Sequence, residues 1–486
     1  MAAPSNQDGI SIKNEEHALD SKDRSTLLNI AEVEAEPSSR VHQESGVDQR
    51  IADVTEDLPL KSFESIRILG DLDKTAESEE SLGEICELHV YETRFNSKGE
   101  EVVLQVGVIE GLDIEEIRSP DAALVLMRYY DDTKALAGTA LEIRSPYMRK
   151  AMAETIKDYP GVDTQTAGIL KISGKSHCIF HYRKELYAYA QASDDEDVKE
   201  HVTYLIRYME QALRKEIASY ETHMVANTES PGLDFDSLWM TFRPGDLLYH
   251  NRNGEGQICR LKYMRMQTDA RKPLRYAKYW YLSCEIINCD GEDFIYSWDH
   301  TRIFAYDGYR PVSDLNILPL RFHKDQMSIR ESLLVRGKTF LSFVGVHHRN
   351  YHGAARFIKD DEDDSIEDDE YDSYKAKKNY ETIQADGRVI VDCEEYTSNI
   401  DGSIGEHLPG SKLISGKEKG YEKLCDDDIL ICSPEVAGFS LQHRRWGLFK
   451  VSGLGIISFN QTAFDALVLP QQYKKLLKSL VKAHQK

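Results

Sequence analysis

Phosphate chemistry needs a glycine-rich cradle, and residues 405–412 (GEHLPGSK) come nearest to one. The two glycines have the G-x-x-x-x-G spacing, but Ser411 precedes Lys412 where the motif needs lysine before hydroxyl. That order misplaces the ammonium relative to the β/γ-phosphates and the hydroxyl relative to magnesium. Residues 411–418 (SKLISGKE) carry Gly416-Lys417 without a first glycine or a following hydroxyl. The pair Gly453 and Gly455 lacks the third glycine and the acidic ribose partner of a dinucleotide site. Gly438-Phe439-Ser440 lacks the second glycine of a nucleophile elbow. Nucleotide binding and serine hydrolysis therefore have no motif here.

Metal chemistry is hardly better served. The eight cysteines contain no C-x-x-C pair. Cys284 and Cys289, and likewise Cys425 and Cys432, lack a histidine at zinc-site spacing, so they read as free, mostly buried thiols. His347, His348 and His352 cluster in VGVHHRNYHGAA. The valines, Asn350 and Gly353 favour a loop or strand end there over a helix. No carboxylate lies within the segment.

The elements that would position such groups can be read from periodicity. ELHVYETRFNSKGEEVVL, with Asn96, Lys98 and Gly99 at its centre, reads as a hairpin. Residues 122–130 (AALVLMRYY) read as a buried strand. Ser145-Pro146 is a helix start that Pro160-Gly161 ends. Val198, Val202, Leu205, Met209 and Leu213 form the core stripe of a helix over 196–220. From residue 237 the pattern changes to strands, with Asp290-Gly291 as a type I′ hairpin signal. Such a strand series predicts a small antiparallel barrel or strongly curved sheet. A helix over 329–341 and a strand over 389–393 follow, and residues 428–432 and 446–451 read as strands. Residues 471–485 form an amphipathic helix with an apolar stripe of Tyr473, Leu476, Leu477, Leu480, Val481 and His484, flanked by lysines.

The 486 residues suffice for two or three domains. The fold class is α+β, with disordered acidic residues 1–80 and an α+β domain at 81–235. A β-rich, barrel-like domain at 236–395 carries an acidic insertion at 356–385. A flexible loop at 396–420 and a small α+β piece at 421–486 complete the chain. The net charge of −23 is concentrated. Residues 1–80 contribute −11, and the ten acids of residues 360–372 leave −2 for the remainder. A nearly neutral folded part argues against a general nucleic-acid-binding surface. No apolar run approaches the roughly 18 residues of a membrane span. The start of the chain has no secretory pattern, and scattered cysteines suit a reduced, intracellular setting, cytoplasmic or nuclear.

Several spaced blocks resemble one family. They are SPYMRKAMAETIKDYPGV, FHYRKELYAYAQ, LWMTFRPGDLLYH, KYWYLSCEIINCDGEDF, LLVRGKTFLSFVGVHHRNYHGAA, GRVIVDCEEY and the long stretch DDILICSPEVAGFSLQHRRWGLFKVSGLGIISFNQTAFDALVLPQQYKKLLKSLVKAH. Together, over about 85–486, they resemble the uncharacterised domain, and the segment leading into the ATPase core, of fungal AAA+ ATPases. The resemblance implies a core with Walker motifs downstream of this stretch. No nucleotide-binding residue of the family can be carried over to any position here, and ATP and Mg are implied only with such a core appended. It implies a non-catalytic recognition or regulatory module that binds substrate or adaptor proteins. The candidate interaction surface is Trp239, Tyr249, Trp280, Tyr281, Trp298 and Tyr309, because aromatics favour contact patches. The alternatives are a stand-alone adaptor or oligomerising scaffold that acts with an ATPase in trans, and a metal-dependent hydrolase using His347, His348 and His352.

Overall fold

The computed structural model describes residues 68–69, 83–95, 101–105, 122–359, 380–400 and 413–484, apart from 132, 167, 228, 253, 270–276, 460, 461 and 465. The fold is α+β. The expectations for residues 1–80, for most of the acidic insertion and for 401–412 fall outside the described residues, save the short strand Ile68–Leu69.

The first sheet runs β1 (Ile68–Leu69), β3 (Glu101–Gln105), β2 (Ile85–Phe95), β4 (Ala122–Tyr130), β5 (Leu136–Ile143), β6 (Leu170–Ser173) in spatial order. β2 and β3 pair antiparallel across residues 96–100, as the hairpin reading expects. Helices Pro146–Thr155, Arg183–Ala192 and Glu196–Ala212 cover this sheet. Ser145 caps the first by accepting from Met148 N at 3.2 Å, with Pro146 where its missing N–H costs nothing. Val198, Val202, Leu205, Met209 and Leu213 are all buried, as their spacing predicts. That helix ends at Ala212, however, and a second one, Arg214–Tyr220, begins past Leu213.

The second sheet has the order β13 (Ile317–Pro319), β8 (Leu247–Arg252), β9 (Glu255–Thr268), β10 (Lys278–Cys289), β11 (Asp293–Phe304), β16 (Ile414–Ser415). It is an open sheet: its outermost strands, β13 and β16, do not pair with each other. β7 (Gly232–Leu233) and β12 (Arg310–Pro311) form a separate short ribbon. The runs IYSW and TRIFAY belong to one strand, β11. The β10–β11 turn has positive φ at Gly291 and not at Glu292, the pattern of a II′ rather than a I′ turn.

Strand alternation makes this sheet serve two cores. Leu248, Cys259, Leu261, Leu282 and Cys284 pack into the core under the first sheet. Ile258, Ile287 and Cys289 pack into a second core with Phe340 and Leu341 of helix Gln326–Leu341.

The second core is completed by β14 (His347–Ile358), β15 (Tyr380–Val391), β17 (Glu435–Ser440) and β18 (Arg445–Lys450). β14 pairs β15, β15 pairs β17, β17 pairs β18 and β18 returns to β14, so these four strands close a ring. β19 (Leu454–Gly455) adds to β14 beside β18. Residues 429–455, expected within a separate piece, thus share a sheet and a core with β14 and β15. Residues 428–432 are not a strand. Asp426–Leu430 is a short helix, with three aspartates where the helix dipole favours negative charge.

Candidate functional site

His250, Cys259, Cys284 and Asp299 stand one on each of β8, β9, β10 and β11. Neighbouring strands lie about 4.8 Å apart, so a flat sheet would hold His250 and Asp299 about 14 Å apart. Their Nε2 and Oδ2 atoms are 3.3 Å apart. The sheet is therefore strongly curled, and its concave side folds these groups against one another. One ligand atom each from His250, Cys259 and Asp299 lies within 4.8 Å of the others, and all three residues are buried. No other three of His, Cys, Asp or Glu meet this way among the described residues.

Charge organises the cluster. Asp299 Oδ1 accepts from Arg252 Nη1. Burial pushes the Asp299 carboxyl up, but His250 and Arg252 outweigh it and hold the group below its ordinary value. Burial pushes the His250 imidazole down, yet Asp299 and Cys259 beside it raise it to about 9. The Cys259 thiol is held well above its ordinary value by its hydrogen bond with Cys284 and by burial. His250 Nε2, Asp299 Oδ2 and Gln257 Nε2 are buried without a hydrogen bond, which is costly for polar atoms in a protein interior.

None of these residues lines the cleft beside them. That cleft, of about 620 Å³, lies between the start of β9, helix Gln326–Leu341 and residues 451–454. Tyr249, Glu255 and Arg336 line it. Arg336 Nη1 donates to Gly256 O at 2.5 Å. All four residues of the cluster are themselves buried. Its geometry suits holding something in place.

The aromatic candidates do not form one surface. Trp239 and Trp280 are buried and belong to the first core. Trp239 stacks on His177 at 3.7 Å, and Trp280 Nε1 donates to Phe235 O at 2.7 Å. A satisfied indole N–H and a stacked ring are what burial of tryptophan demands. Tyr249 is half-buried at the cleft. Tyr309 is exposed and hydrogen-bonds Ser230 O. Only Tyr281 and Trp298 come together, on the convex side of the curled sheet. There Tyr281 stacks on His300 at 5.2 Å and Trp298 on His300 at 5.7 Å. Tyr263 meets Trp298 edge-on at 5.9 Å, and Arg265 lies over Tyr263 and Tyr281 at 5.7 and 5.5 Å.

His347 and His348 open β14, at a strand end as expected, and His352 lies further along the same strand. Strand alternation sends His347 and His348 to opposite faces. His348 and His352 share a face but are about 13 Å apart along an extended strand. His347 Nε2 donates to Val344 O at 2.8 Å, and His352 meets the exposed Asp386 at 3.5 Å. The three rings do not converge, which leaves the hydrolase reading without its catalytic set.

No helix among the described residues is long and apolar enough to cross a membrane. Helix Gln471–His484 has no buried residue. Tyr473, Leu476, Leu477, Leu480 and Val481 are 41–59% exposed, so its apolar stripe faces outward from this fold.

No curated protein matches this chain, and no solved structure does. Residues 224–324 match a family model described as a domain of unknown function, DUF7025. The matched stretch contains β8 to β11, and with them His250, Cys259, Cys284 and Asp299.

Proposed function

We propose that this chain is a non-catalytic recognition module that docks on a protein partner through helix Gln471–His484. The partner implied by the sequence resemblance is an AAA+ ATPase core, in cis or in trans. The observation that carries this reading is the outward apolar stripe of that helix. Five large apolar side chains on one face are 41–59% exposed. Contiguous apolar surface of this kind marks a contact site. The lysines at 474, 475, 478 and 482 flank the stripe, and residues 466–486 hold no acid. The complementary surface is therefore an apolar groove with an acidic rim. Tyr281 and Trp298, on the convex side of the curled sheet, supply a second contact region for a substrate or adaptor protein.

The test is a titration of the full chain, fluorescently labelled, with a purified AAA+ core of the resembled family. A Kd of about 1 μM, some 8 kcal/mol of binding, is expected. Leu476→Asp combined with Leu480→Asp should weaken it at least tenfold and leave thermal unfolding unchanged, because both side chains are exposed. Equal binding by the variant, or none by the parent, ends the docking role. MgATP alone should give no binding isotherm, and micromolar affinity for it would remove the non-catalytic part of the reading.

A further inference from the structure

We propose that His250, Cys259, Cys284 and Asp299 form a structural zinc site inside the curled sheet. Two buried polar atoms meet at the centre of the cluster. His250 Nε2 and Asp299 Oδ2 face one another at 3.3 Å, an ion-pair separation without hydrogen-bond geometry. Two ligands bound tetrahedrally at about 2.0–2.1 Å from one zinc ion sit about 3.3 Å apart. The separation is thus that of two donors to a shared ion.

Cys259 supplies the third donor. Its sulfur lies within 4.8 Å of both other ligand atoms, against about 3.6 Å for sulfur and nitrogen on a tetrahedral zinc. Closing that gap takes about an ångström, which a small torsion at the cysteine side chain provides. Cys284 stands outside that group and supplies the fourth donor only by turning its side chain inward. It is the direct cross-strand partner of Asp299. Four consecutive strands therefore contribute one donor each.

The donor chemistry selects the metal. Two sulfurs, one imidazole and one carboxylate in tetrahedral array suit Zn²⁺ and do not suit the oxygen-preferring Mg²⁺ or Ca²⁺. Charge balance agrees. Zinc with two thiolates and one carboxylate carries −1, and the Arg252 guanidinium on Asp299 Oδ1 brings the site to neutrality. That contact also leaves Oδ2 for the metal, the outer-shell arrangement usual for a ligating carboxylate. All four residues are buried, so the ion has no open position for a substrate. Its role is to pin β8 to β11 and hold the curl of the sheet.

The test is metal analysis of the full chain, purified without chelator from zinc-supplemented cells and dialysed. One zinc per chain is expected. Stripping it with 1,10-phenanthroline should lower the melting temperature by at least 5 °C, because a metal that binds only the native state stabilises it. Cobalt exchange should give tetrahedral d–d bands and a thiolate-to-cobalt charge-transfer band. Cys259→Ser and His250→Ala should each lose most of the zinc. Folded parent protein with no zinc, or with zinc that dialysis removes, overturns the site. So does full zinc content in both variants. The parent measurement decides the matter even where a variant does not fold.

Discussion

Replacing Gly337 with alanine should destabilise the protein by about 2 kcal/mol or more, even though alanine is the better helix former. Gly337 lies inside helix Gln326–Leu341 and is buried. A Cβ there would sit 2.2 Å from the carbonyl oxygen of Ile429 and 2.7 Å from its Cγ2. Ile429 belongs to helix Asp426–Leu430, so the two helices meet backbone to backbone at this point. Alanine gains about 1 kcal/mol of helix propensity. Overpacking costs about 1–3 kcal/mol, and more where the obstacle cannot yield. A backbone carbonyl in a short packed helix is such an obstacle, so the steric cost wins. Val335→Ala on the same helix is the control, because Val335 is 68% exposed and should change stability little. Denaturant unfolding measures both. Gly337→Ala as stable as the parent would refute the close approach.

Acid should weaken the first core well before carboxylates are titrated out. Burial holds His181 at about 3 and His177 at about 4. His181 Nε2 can only donate to Trp239 O, at 2.9 Å, so its neutral ring accepts the Tyr159 hydroxyl at Nδ1, at 3.0 Å. The unfolded chain takes up protons at both histidines near pH 6.5, whereas the folded chain resists until about pH 4 and 3. The unfolded state therefore binds more protons in that window, and stability falls as pH drops through it. Between pH 6.5 and 5 the two groups together cost about 3 kcal/mol. Unfolding free energies at pH 7.5, 6.5, 5.5 and 5 should show this limb. His181→Gln should lower stability at pH 7.5 and make the limb shallower by about half. An unchanged slope would exclude His181 from it.

What could be read from the chain divides along physical lines. Local signals were legible: the Ser145-Pro146 cap, the stripe from Val198 to Leu213, and a turn at Gly291. Each depends on residues within a few positions of one another. Curvature was not legible as a site. His250, Cys259, Cys284 and Asp299 are 9, 25 and 15 positions apart, a spacing no motif contains. They meet only because the sheet curls and β10 returns from β9. The one available signal was chemical: polar or sulfur-bearing side chains at strand positions that otherwise read as core. The histidines of β14 mislead for the converse reason. They are adjacent in sequence, and strand alternation parts them. Trp239 and Trp280 are candidates for a contact surface because aromatics favour interfaces, yet burial is equally favourable where the ring stacks, as Trp239 does on His177, or its N–H finds a partner, as in Trp280.

The four-strand ring has a consequence for synthesis on the ribosome. β14 and β15 form a hairpin, but their remaining partners, β17 and β18, arrive only after residue 434. While those residues are still in the exit tunnel, both outer edges of the hairpin stand open, a template for wrong pairing. The second core can therefore condense only after residue 450 has left the tunnel, behind a first core whose helices and early strands are already made. Chaperone attention during biosynthesis should concentrate on residues 347–391.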